Sequence, residues 1–139
     1  NAWPTLQEEQ RRALEIFKDF PAPDLGFTQI TQKYTPAEEV RKHLTIIKEC
    51  WPSFKKKLLS QVYTFDRMQT LFKAAGAPYD PSIIGVTRQQ LKDIFPKVQL
   101  MRFRFNILDL AKRAGIYDGL VESVFAPGGA WDLTANTVN

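Results

Sequence analysis

A chain of 139 residues, 44% hydrophobic with ten Phe, has the length and apolar content of a folded domain, which argues against a disordered one. A net charge of +4 permits an anionic ligand without demanding nucleic acid. The single Cys50 excludes an internal disulfide, no apolar run reaches the length of a membrane span, and no signal peptide is visible, so a cytoplasmic location is expected. Asn1-Ala2 reads as a possible cloning remnant.

In chain order, Thr5 and Glu8 form a capping box, and Leu14, Ile16 and Phe17 follow at helical spacing. Pro21 and Pro23 end that helix near Phe20, and residues 21–34 read as an irregular connection. Thr35, Pro36 and Glu38 mark a second start. Val40, Leu44, Ile47, Trp51, Phe54, Leu58 and Val62 then form one apolar stripe, and Pro52 is expected to bend or divide the element. Thr64 opens another helix, closed by Gly76 and Pro78. APYDPSIIG reads as a loop, Thr87 caps a short helix ending at Pro96, and a helix from about 96 to 114 stops at Gly115. A short helix near 117–125 precedes a Gly-rich, weakly patterned tail. No segment alternates like a strand. The expectation is one all-α domain over 1–139, a multi-helix bundle with a central apolar helix near 96–114.

The stretch LMRFRFNILDL, residues 100–110, holds the most informative charge. On a helical wheel, Arg102, Asn106, Asp109 and Arg113 share a polar stripe, with Arg113 the i+4 partner of Asp109. Arg104 falls on the opposite side among Leu100, Met101, Ile107, Leu108 and Ala111. A charge there needs a carboxylate, a ligand or a path to water. One reading pairs it with an acid from another helix, through the bidentate fork of its guanidinium. The other brings Arg104, with Arg102, to a substrate phosphate or a neighbouring half of an enzyme.

Several chemistries lack their parts. His43 is the one histidine and flanks an apolar stripe, so a structural or surface role is expected. Cys50 has no activating neighbour and reads as a small buried hydrophobe. No Gly-rich loop follows a strand. Lys55, Lys56 and Lys57 read as a solvated helix face, with Phe54 beside them assigned to the core. No catalytic, cofactor-binding or metal-ligating residue emerges from these patterns.

Two segments carry a family pattern. LFKAAGAPYDPSIIGVTRQQL contains Gly76, Ala77 and Pro78, then Ile84 and Gly85. LMRFRFNILDLAKRAG contains Arg102, Arg104, Phe105, Leu108, Asp109 and Leu110 in the spacing R-x-R-[FY]-[TN]-I/V-L-D-L. ECWPSFKKKLLSQVY, ahead of them, resembles the helix that precedes the loop in the same family. Over residues 35–115, and most specifically 75–110, the chain resembles the C-terminal helical part of sn-glycerol-1-phosphate dehydrogenases. These belong to the iron-containing alcohol dehydrogenase and dehydroquinate synthase superfamily.

The resemblance implies an NAD(P)-dependent oxidoreductase in two halves. An N-terminal α/β half would bind the nucleotide, and a helical half would complete the substrate cleft. One Asp and two His would hold a divalent, zinc-like metal that polarises the carbonyl during hydride exchange between dihydroxyacetone phosphate and glycerol 1-phosphate. No nucleotide half lies in this chain, and His43 matches neither metal histidine. The expectation is therefore a helical C-terminal domain, inactive alone, that carries none of the metal or nucleotide ligands. Its expected partners are the N-terminal half and, through an exposed apolar face, a second copy. A non-enzymatic helical adaptor and a basic nucleic-acid-binding domain are the alternative readings.

Overall fold

Thr5 starts the first helix as its spacing predicts. In the computed structural model of the protein, which describes residues 3–135, its hydroxyl accepts from the Glu8 N–H, and the Glu8 carboxylate accepts from the Thr5 N–H in return. Helix α1 spans Leu6–Phe17. Six more helices follow: α2 Leu25–Lys33, α3 Ala37–Gln61, α4 Phe65–Ala74, α5 Arg88–Leu100, α6 Ile107–Arg113 and α7 Tyr117–Phe125. A 3-10 turn, Pro81–Ile84, sits inside the expected APYDPSIIG loop. The architecture is an all-α multi-helix bundle, with no strand among the described residues. Asn1-Ala2 lies outside the described residues.

The core forms where α1, α2 and the end of α5 meet. Ala13, Phe17, Ile30 and Leu100 make it, with Ile16, Phe20 and Leu25 packed around them. Phe17 meets Phe20 edge to face at 5.2 Å. A second node joins α5 to α7, where Phe95 and Phe125 meet at 5.4 Å.

Helix α2 corrects the irregular connection expected over 21–34. The two prolines do end α1, but Gly26 and Ile30 then lie on the face that meets α1, and burial of Ile30 rewards a helical backbone. Gly26 permits the close approach: a Cβ there would lie 2.7 Å from the Phe17 ring. Gly26→Ala is expected to lower stability by about 1–2 kcal/mol, because overpacking outweighs the gain in helix propensity. Equal or higher stability in urea would show that the Phe17 ring has room to retreat.

The expected central helix over 96–114 is also corrected. Helix α5 runs through Pro96 to Leu100, because Phe95 and Leu100 are anchored by packing on either side of the proline. The chain then leaves the helix for residues 101–106. Asn106 restarts it, with its side chain accepting from the N–H groups of Leu108 and Asp109. The Asp109 carboxylate accepts from the Asn106 N–H, which completes a capping box. The segment still supplies Leu100 to the core, but as the end of one helix and not the middle of another.

Helix α3 runs from Ala37 to Gln61 with Pro52 inside it, neither dividing nor ending it. Pro36 is its cap residue, and the Thr35 side chain makes no cap bond. Val40 is buried, but Trp51, Phe54, Leu59 and Val62 are 42–65% exposed. On the apolar stripe read from the sequence, Leu58 is half-buried while Trp51, Phe54 and Val62 lie open, and Leu59 is exposed beside it. Cys50, expected to be buried, is exposed on the same stretch, and so is Phe54, expected in the core.

Residues 126–133 of the Gly-rich tail pack back on the end of α7 and on α4. Gly129 sits so close to the end of α7 that a Cβ would fall 2.4 Å from the Ser123 carbonyl oxygen. That approach lets Trp131 donate to the Val124 carbonyl and meet Phe65 edge to face at 5.0 Å.

Candidate functional site

Arg102 and Arg104 both lie in the non-helical 101–106 segment, and both are exposed. The wheel that separated them does not apply there. They line one shallow depression of about 210 Å³ with Val98, Met101, Phe105 and Asn106. The Arg104 guanidinium lies 5.9 Å from the centre of the Phe103 ring. The paired, buried Arg104 is thus corrected: the break in the helix carries its side chain to the surface, where no carboxylate is required.

A second, more enclosed feature lies beside the core. Helices α1, α2 and α6, with the end of α5, surround a cavity of about 190 Å³ lined by Lys33, Gln99, Asp109, Lys112 and Arg113, with Trp3, Phe103 and Phe105 among its aromatic walls. Lys33 pairs with Asp109 at 2.8 Å, and the two side chains are only 7% and 8% exposed. Asp109 also accepts from Gln99 Nε2 at 2.7 Å. Lys33 donates in addition to the Gln99 carbonyl oxygen. Glu9, itself buried, takes both Lys112 and Arg12, and Arg12 donates to Gln99 Oε1 at 2.8 Å. One network therefore ties α1, α2, α5 and α6 together.

Arg113 is the exception within it. The expected pairing of Arg113 with Asp109 is replaced, because capping and Lys33 occupy the carboxylate. Arg113 turns to neutral partners: Thr35 Oγ1 at 2.7 Å, His43 Nδ1 at 2.9 Å, and the face of Phe105 at 4.6 Å. A guanidinium only donates, so His43 accepts at Nδ1 and carries its proton on Nε2. His43 is structural here, bracing the start of α3 against the end of α6.

Burial pulls the Lys112 ammonium below its usual value, Arg12 adds to this, and Glu9 opposes both. Burial also lowers the Arg113 value, with Asp109 opposing. A third buried pair lies elsewhere: Asp80 accepts from Arg88 at 3.0 Å and caps the 3-10 turn through Ser82. Burial works to raise the Asp80 value, and the bonds from Ser82 and Arg88 outweigh it and hold the carboxyl below its usual value.

Among the described residues no group of three or more His, Cys, Asp or Glu comes together, and His43 is engaged by Arg113. No helix of the described residues is long and apolar enough to cross a membrane. Comparison with protein-family models, with curated proteins and with solved structures finds no match to this chain.

Proposed function

We propose that the chain is the helical C-terminal domain of a metal- and NAD(P)-dependent polyol-phosphate dehydrogenase of the glycerol-1-phosphate dehydrogenase type. In this reading the nucleotide and the metal belong to a separate N-terminal half, and the chain alone is inactive. The observation that carries the proposal is the open face of α3, where Trp51, Phe54 and Val62 follow helical spacing yet are exposed, with Leu59 exposed beside them. A contiguous apolar face of this kind marks an interaction surface. It coincides with the stretch that resembles the family over ECWPSFKKKLLSQVY. Arg102 and Arg104, side by side on one depression, are available to meet a substrate phosphate or the other half.

A helical adaptor without catalysis would present the same face, and the exposed Lys55–Lys57 run beside Trp51 and Phe54 is the feature a nucleic-acid binder would use. The deciding experiment expresses the complete reading frame that encodes this chain. NAD(P)H oxidation that requires both dihydroxyacetone phosphate and a divalent metal supports the dehydrogenase. A complete protein with no nucleotide-binding half, or one that oxidises no NAD(P)H with polyol-phosphate ketones, overturns it.

A further inference from the structure

The cavity beside the core holds more positive charge than its own carboxylates neutralise. Three cations, Lys33, Lys112 and Arg113, line it beside two carboxylates, Glu9 and Asp109, and Arg12 pairs with Glu9 from outside the lining. Each carboxylate is already engaged, Glu9 by Lys112 and Arg12, Asp109 by Lys33 and Gln99. Arg113 has no carboxylate within ion-pair distance among the described residues, although it is half-buried. Arg12 Nε is buried without a protein acceptor. Semi-buried cations in surplus are costly unless an anion joins them.

We infer that this cavity binds a small phosphate dianion, free or as a monoester, held by Lys112 and Arg113 with Lys33 behind them. The wider network, with Arg12 behind Glu9, has two more cations than carboxylates, and a phosphate monoester, about −1.5 to −2 at neutral pH, would offset them. The volume of about 190 Å³ suits it too. That is roughly six water volumes, below the roughly 300 Å³ at which drug-sized pockets begin, so a dinucleotide does not fit. Phe103, Phe105 and Trp3 give the ester's carbon portion an apolar wall. Arg113 offers a fork already oriented by Thr35 and His43. Burial, with Arg12 adding, pulls the Lys112 ammonium below its usual value, and a bound dianion would oppose that shift. The site shares only the Phe105 wall with the Arg102 and Arg104 depression and does not rest on the dehydrogenase reading.

The test titrates the full chain with inorganic phosphate, and then methyl phosphate, at constant ionic strength set with chloride. Expected are saturable shifts of the backbone amide signals of Thr35, Lys112 and Arg113, and a melting temperature that rises with phosphate. Arg113→Gln and Lys112→Met should each weaken binding by about tenfold, as the loss of a charge-assisted bond requires. Arg104→Gln should bind as the parent does. Methyl phosphate binding as well as phosphate marks a monoester site, and phosphate alone marks a free-ion site. Non-saturating amide shifts in the unmodified chain overturn the proposal without needing any variant to fold. So does equal binding by Arg113→Gln, or equal weakening by Arg104→Gln.

Discussion

Asp109→Ala lowers the unfolding free energy by about 3–5 kcal/mol, the cost of leaving one partner of a buried pair uncompensated. Asp109 holds Lys33 at 2.8 Å where neither side chain meets water freely. It also accepts from Gln99 and closes the capping box of α6 through the Asn106 N–H. Alanine strands the Lys33 ammonium, frees Gln99 Nε2, and removes the cap, each of which acts in the same direction. Stability of a chain this size is about 5–15 kcal/mol, so the loss is a large fraction of the whole. The urea midpoint should fall with little change in slope. Asp109→Asn in a Lys33→Met background separates the contributions. It removes both charges and keeps a side-chain acceptor for the Asn106 N–H, so it should recover most of the loss. If Asp109→Ala came within about 0.5 kcal/mol of the parent, the range of ordinary surface changes, the pair would be solvated in solution.

The role of Asp109 shows where the sequence was legible and where it was not. Thr5, Thr64 and Thr87 each cap the helix that their position marks, since a cap is a local event between residues three apart. Asn106 and Asp109 form the same box, and their spacing is equally plain in the sequence. A helical wheel drawn across residues 100–110 concealed it by treating the break as a helix interior. Continuous helical geometry would put Arg104 on an apolar face and Asp109 beside Arg113, whereas the break leaves Arg104 exposed and Asp109 with Lys33. Lys33, the true partner, lies in a stretch whose prolines suggested a loop. Its helix is set by packing of Gly26 and Ile30 on α1, a non-local effect with little local signature. The stripe on α3 was legible as a pattern. Periodicity marks which face is apolar, but the pattern cannot name what covers that face, so Cys50 and Phe54 were placed inside when they are exposed.

Phe17→Ala should cost about 3–5 kcal/mol, the range for an aromatic removed from a core. Phe17 is fully buried, with its ring against Gly26 and edge to face with Phe20. Collapse into the void is limited, because Gly26 has no side chain to move into it and Ala13 contributes only a methyl. Phe17→Leu should retain roughly half the stability lost by alanine, since it refills much of the volume. The informative comparison is Phe54→Ala. Phe54 is 44% exposed on the uncovered face of α3, so its truncation should change stability by no more than about 0.5 kcal/mol in a monomeric chain. The two phenylalanines thus make opposite demands on one measurement. A Phe54→Ala loss that approaches that of Phe17→Ala, and grows with protein concentration, would mean that copies of the chain cover the α3 face themselves. A small and concentration-independent loss leaves that face open for a partner. If an N-terminal half packs on that face as proposed, the same substitution should weaken that contact while leaving the core around Phe17 intact.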